Sequence, residues 1–297
     1  MNKRSENTRN STASPSPLTQ KVAKDLGLNE MPRMDLATFR ALTGEFIATF
    51  TFLFIAMATG CTLVASGASD PAIGGIAVAF AAVAVIYSFG GLSGAHFNPA
   101  VTFGSIVGLR MNAFKGIMYI AVQVLAAFMA TGILMYLYPD KRIAEELTLG
   151  LSQSKGRAVL IEMLMTFFLV MTIYATALGK APTVRKRREM EQEGLPVHAS
   201  SEIITSSREA QLTIEHENDP VEGGTYDPNK PFAGLAIAFM LGCLCYVGGM
   251  ISGGGFNPAR ATAPAVLSGK YKDLWVFWAG DFAGAALAAI VYNLALG

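Results

Sequence analysis

The chain alternates between long apolar runs and short polar interruptions, and the length of each run limits what it can form. Phe46 to Ala65 is twenty residues without a charged side chain, with Arg40 and Glu45 just upstream. About twenty apolar residues are what a helix needs to cross the hydrocarbon core of a bilayer. Pro71 to Leu109 is free of charge over thirty-nine residues, too many for one helix and too few for two with an ordinary loop. One crossing from Ile73 to Gly91, then a half-length helix from Asn98 to Gly108, fits that run. Gly116 to Tyr138 predicts a third crossing, ended by Pro139 and Asp140. Ala158 to Gly179 predicts a fourth, containing Glu162, and Phe232 to Gly249 a fifth. A second half-helix is expected from Asn257 to Leu267, and Leu274 to Leu296, with Asp281 inside it, makes the last crossing. The expected fold is an all-α membrane protein with six transmembrane helices and two half-helices.

The two half-helices start alike. Ser93-Gly94-Ala95-His96-Phe97-Asn98-Pro99-Ala100 and Ser252-Gly253-Gly254-Gly255-Phe256-Asn257-Pro258-Ala259 each approach through small residues and then read Asn-Pro-Ala. Asn is a good N-cap and Pro is favoured at the first helical position, so each triplet marks a helix start inside an apolar region. The first and fourth crossings also match, because Glu45 and Glu162 are each followed four residues later by Thr and then Phe. Three crossings per copy is an odd number, so the second copy is inserted inverted and the half-helix N-termini meet near the midplane. Residues 36–138 form the first repeat and 158–297 the second, joined by a polar connection over 139–157. Glu45 precedes Asn98 by 53 residues and Glu162 precedes Asn257 by 95. The excess lies in a polar insert at 180–230 that carries 17 of the chain's 45 charges.

Composition agrees with the pattern. Of 297 residues 52% are hydrophobic and only 15% charged, with 23 basic against 22 acidic side chains. A soluble domain carries nearer a quarter charged residues, so a large water-facing surface is excluded. The balance of charge gives no reason to expect nucleic acid as a partner. Cys61, Cys243 and Cys245 lie in apolar stretches without metal-ligand spacing and read as small, reduced packing residues. Residues 1–35 have the composition of a mobile tail, without an apolar signal segment. The tail and the insert hold most of the Lys and Arg near membrane ends, which predicts both, with the C-terminus, on the cytoplasmic side and 139–157 outside.

Two Asn-Pro-Ala half-helices in inverted three-crossing repeats, a Glu in the first and fourth crossings, and Arg260 directly after the second triplet resemble the aquaporin or major intrinsic protein family. The resemblance covers 36–296 apart from the insert. It implies a passive pore rather than an enzyme, conducting water or small neutral solutes such as glycerol or urea, with no cofactor or metal, assembled as homotetramers in the bilayer. Asn98, Pro99, Ala100, Asn257, Pro258 and Ala259 are then the paired pore motifs. Transferred by spacing, the filter comprises Val78, Cys245, Gly254 and Arg260, with His96, Gly253 and Gly255 on the pore approach. The family's water-selective filter usually sets an aromatic and a His beside the Arg; Val78 and Cys245 depart from that and predict a wider ring. Ala261, where glycerol-type members usually have Asp, together with Ala265 and Phe277-Trp278, matches the water-type pattern. The family reading gives Glu45 and Glu162 the task of accepting hydrogen bonds from the extended backbone before each half-helix. As intramembrane carboxylates they also fit a coupled secondary transporter, and a pore-like scaffold that conducts nothing is a third class. A packed, hydrogen-bonded His96 is as compatible with the sequence as a pore-lining one, and no family role attaches to Asp281. The basic run Arg185, Lys186, Arg187 and Arg188 in the insert fits either a cytoplasmic gate or a solvated loop.

Overall fold

The computed structural model describes residues 34–68, 70–140, 147–178 and 230–296, together with residues 20 and 26. The insert apart from Lys230, including Arg185, Lys186, Arg187 and Arg188, lies outside the described residues, as does most of the tail. Within them the fold is all-helical: α1 (Leu36–Ala65), α2 (Pro71–Ser93), α3 (Pro99–Val107), α4 (Ala113–Leu137), α5 (Lys155–Ile173), α6 (Ala233–Gly249), α7 (Pro258–Leu267) and α8 (Leu274–Val291). Helices α5 and α8 each finish in a wider π turn, Tyr174–Leu178 and Tyr292–Leu296. Five helices are long and apolar enough to cross a bilayer, and α6, at seventeen residues, is a shorter apolar helix.

Each helix starts where local chemistry permits. Asp35, Asp70 and Asn112 accept from backbone N–H groups one turn on, closing the starts of α1, α2 and α4. The same device works inside the bundle at α3 and α7, where Asn98 and Asn257 are the caps and Pro99 and Pro258 hold the first position. At a rise of 1.5 Å per residue these two helices are about 14 and 15 Å long, half the hydrocarbon thickness.

The helices are apolar on all sides, the signature of a bundle in lipid rather than of amphipathic surface helices. Large side chains such as Phe80, Leu125, Phe239 and Trp275 face outward, whereas alanines such as Ala82, Ala126, Ala130, Ala259, Ala285 and Ala288 are fully buried. Small residues at the crossings let backbones approach without a hydrophobic driving force between helices. The clearest case lies between α2 and α6. A Cβ on Gly75 would sit 2.6 Å from the Gly242 carbonyl oxygen, and one on Gly242 2.7 Å from that of Gly75. This reciprocity between equivalent helices is what a two-fold relation of the repeats produces. Gly132, by contrast, would have nothing within 4 Å of an added Cβ and is not a contact glycine.

Helix α1 begins ten residues before Phe46, and Glu45 is a fully buried residue within it. One expectation changes. The cysteines are not uniformly packing residues: Cys61 is buried, Cys243 is exposed on the outer face, and Cys245 is half-buried. From the tail, the Leu26 carbonyl accepts from Ala113 N at 3.1 Å.

Candidate functional site: the meeting point of two half-helices

The N-termini of α3 and α7 are joined by a reciprocal pair of hydrogen bonds. Asn98 Nδ2 donates to the Phe256 carbonyl at 2.8 Å, and Asn257 Nδ2 donates to the Phe97 carbonyl at 2.9 Å. Each amide oxygen is already engaged as an N-cap, Asn98 Oδ1 by Ala100 N at 2.8 Å and Asn257 Oδ1 by Ala259 N at 3.1 Å and Arg260 N at 3.3 Å. A primary amide has two N–H donors, so one on each Asn remains after the cross-bond. Two helix N-termini, each with a partial positive charge, thus converge on one point carrying two oriented donors.

The backbone that makes this possible is strained. Phe97 and Phe256, the residues before each Asn, have φ of +36° and +27°, and Ala95 has +46°. Left-handed conformations of bulky residues cost on the order of 1–3 kcal/mol each and persist only when their surroundings fix them. Here each Phe is fixed at both ends, its carbonyl by the opposite Asn and its N–H by the buried glutamate of its own repeat. Glu45 accepts from Phe97 N at 2.9 Å, His96 N at 2.8 Å and Ser93 Oγ at 2.9 Å. Glu162 accepts from Phe256 N, Gly255 N and Ser252 Oγ. Carbonyls at the C-terminal end of α3 are met as well, Gly104 by the Tyr174 hydroxyl and the cap residue Gly108 by Asn293 Nδ2.

A cavity of about 180 Å³ opens on the α7 side of this point. It brings together Val78, Cys245, Gly254 and Arg260, with Gly253, Gly255 and Asn257 also in its wall. Arg260 is held by a 2.6 Å bond from Nη1 to the Leu147 carbonyl. The glycines are sterically required: a Cβ on Gly255 would meet the Phe277 ring at 2.6 Å, and one on Gly254, at φ +67°, would sit 3.2 Å from the Cys245 carbonyl. Phe52, Leu53 and Gly60 from α1 complete the wall. His96 is elsewhere. Its ring is 1% exposed, Nδ1 lies 3.0 Å from Thr102 Oγ1, and Tyr119 packs edge-on at 5.6 Å.

Several participants are not singled out by the sequence pattern. Ser93 and Ser252 are donors to the glutamates, and they do carry a signal: both stand five residues before the Asn of their motif. Gln123, which donates to Glu45 Oε2 at 2.8 Å and to Thr102 Oγ1 at 3.0 Å, is detectable as a lone amide in an apolar crossing. Leu147 carries no signal, since it contributes only its carbonyl.

The sequence model of the family described as "Major intrinsic protein" matches residues 33–195 and 212–292, most of the chain. The chain belongs to the major intrinsic protein family. It is similar to "Aquaporin-B" of Dictyostelium discoideum, 35% identical over 269 residues that cover 88% of this chain and 84% of that protein. It is also similar to a "Probable aquaporin TIP-type" of Medicago truncatula, 32% identical over 263 residues, 86% of this chain and 87% of that one. The fold is like that in the X-ray structure of the aquaglyceroporin from Plasmodium falciparum, with a TM-score of 0.61 at 19% identity, over 87% of this chain and 97% of that one. Members of this family are channels and not enzymes, so the chain is an integral membrane channel.

Proposed function

We propose that this family member is a passive water channel that rejects protons and other ions. The observation that carries the reading is the reciprocal lock of Asn98 and Asn257, which leaves one further amide N–H on each where the two half-helices meet. A water there accepts from both amides, so its own hydrogens point away along the file and no continuous proton wire passes. The partial positive charge of the two N-termini and the Arg260 guanidinium oppose cations on the same path, the arrangement known for aquaporins in general. Glu45 and Glu162 each accept from two backbone N–H groups and a serine hydroxyl, which favours a supporting role over proton coupling.

One observation favours a second reading, passage of glycerol or urea as well. In the wall around Arg260, Val78 and Cys245 stand at the two positions where a water-selective ring of this family usually has an aromatic and a His, beside three consecutive glycines. Homotetramers, and a cytoplasmic tail and insert, complete the proposal, the latter on the basic residues these segments carry.

Stopped-flow light scattering of proteoliposomes tests it. Swelling rates linear in the osmotic difference, with no proton current under an imposed pH gradient, are the expected outcome. Uptake that saturates and collapses with a proton or sodium gradient identifies a transporter instead. The same vesicles with glycerol or urea outside decide between the two channel readings, and Val78→Phe, which refills the ring, abolishes solute uptake while retaining water flux if the wider reading holds.

A further inference from the structure

The two supporting glutamates receive matching donors in three places and differ in the fourth. Ser93 and Ser252, His96 N and Gly255 N, and Phe97 N and Phe256 N correspond one to one. The fourth donor to Glu45 is the Gln123 amide of α4. In the second repeat the corresponding helix is α8, and the residue beside Glu162 is Asp281. The local sequences align as Gln123-Val124-Leu125-Ala126-Ala127 and Asp281-Phe282-Ala283-Gly284-Ala285. Both polar side chains are fully buried. Each also neighbours a threonine, Gln123 Nε2 at 3.0 Å from Thr102 Oγ1 and Asp281 Oδ1 accepting from Thr166 Oγ1 at 3.4 Å.

An ionised Asp281 is untenable in that position. Its Oδ2 is buried and meets no hydrogen-bond donor among the described residues, and Glu162 stands beside it: Thr166, one turn on from Glu162, donates to Asp281 Oδ1, and a Cβ on the adjacent Gly280 would lie 2.8 Å from Glu162 Cβ. The elements packed against α8 bring no compensating cation. Helix α5 presents Glu162 and Thr166, while its two basic residues lie in its exposed first turn, where Lys155 pairs with Asp273 and Arg157 donates to Gln153 Oε1 at 3.0 Å. Helix α3 carries no charged side chain, and the one charged residue of α7, Arg260, donates to the Leu147 carbonyl. The pair lies in a tight contact of α5 and α8, where a Cβ on Gly284 would lie 2.1 Å from the Met163 carbonyl, and both carboxyl residues are fully buried. Two carboxylates cannot share such a site, and a single proton held between them removes the conflict. Glu162, with three donors already aimed at it, is the acceptor.

We propose that Asp281 is a carboxylic acid in the working channel and that its Oδ2–H donates to Glu162, making it a positioning residue for the approach to the second half-helix. It does for Glu162 what the Gln123 amide does for Glu45, with a proton in place of an amide hydrogen. The carboxyl oxygen left over accepts from Thr166, so every polar atom of the acid is engaged.

Infrared spectroscopy of the full chain in proteoliposomes at neutral pH reads the proton directly, whether or not the pore conducts. The expected result is a C=O stretching band of a protonated carboxyl that shifts on deuteration and disappears in Asp281→Asn. In swelling assays Asp281→Asn, whose amide can donate to Glu162 and accept from Thr166, keeps water flux within about twofold of the parent. Asp281→Leu, of similar size and without a donor, loses about tenfold, the scale of one hydrogen bond to a charged group. A band that survives Asp281→Asn, no band in the parent, or an Asn variant as impaired as the Leu variant overturns the proposal.

Discussion

The first and second repeats solve the same problem with different parts. Each must end a short helix in the middle of a bilayer and hold the preceding backbone in a left-handed conformation, and each uses a buried Glu, a Ser and an Asn-Pro pair to do so. Around Glu45 the supporting shell is a polar network of Gln123, Thr102 and His96 without a second acid, and none of these three lines the cavity. Around Glu162 the shell includes a second acid, Asp281, and three glycines that open onto the cavity beside Arg260. The difference separates tasks: the first repeat supplies a packed abutment, whereas the second supplies the selective wall, where side chains would obstruct.

Removing either glutamate is the harshest way to probe that comparison. Glu45→Leu strands four donors, and a buried unmet donor costs about 1–3 kcal/mol. Glu162→Leu strands three on a count of carboxylates alone, and four if Asp281 carries a proton. Thermal unfolding in detergent is therefore expected to show nearly equal, severe losses for the two variants, each with loss of water flux. A distinctly milder Glu162→Leu would mean that the second repeat had been relieved of a repulsion, and would break the equivalence.

A smaller effect is expected at the asparagines. Asn98→Ala and Asn257→Ala each lose an N-cap, worth about 1 kcal/mol, and one cross-bond of about the same size. The two losses should be similar, and the double variant should depart from additivity because both bonds depend on the same contact between half-helices. Additive losses would mean that the reciprocal bonds form independently. Proton flux under a pH gradient, negligible in the parent, should appear in both single variants.

Much of this organisation is legible in the sequence because it occurs twice. One Asn-Pro-Ala is an ordinary helix start; two in matching surroundings define half-helices, and their observed spans, Pro99–Val107 and Pro258–Leu267, fall inside the expected ones. That Glu45 belongs to the first crossing is legible from its match with Glu162, whereas the donors folded onto it, which explain why a carboxylate can lie there, are not. Gln123 and Leu147 act through contacts across 78 and 113 residues, a relation that no local pattern encodes. The role of Asp281 depends on what stands beside it, and its sequence neighbours show only that it falls within the last crossing.

The mildest perturbation compares the two faces of one helix in the second repeat. Cys243 and Cys245 are two residues apart on α6, which a helical period turns to nearly opposite sides. Cys245 is in the wall with Arg260, and Cys243 lines an apolar groove on the outer face. Replacing either thiol by Ser changes little volume, so water flux should stay within about twofold of the parent for both, in line with near-isosteric exchanges. A membrane-permeant mercurial separates them. It should block the parent and Cys243→Ser, and fail on Cys245→Ser, because only the thiol in the wall places the metal in the path of water. Block that persists in Cys245→Ser would take Cys245 out of the filter, and the wider ring inferred from Val78, Cys245 and Gly254 would lose one of its three sides.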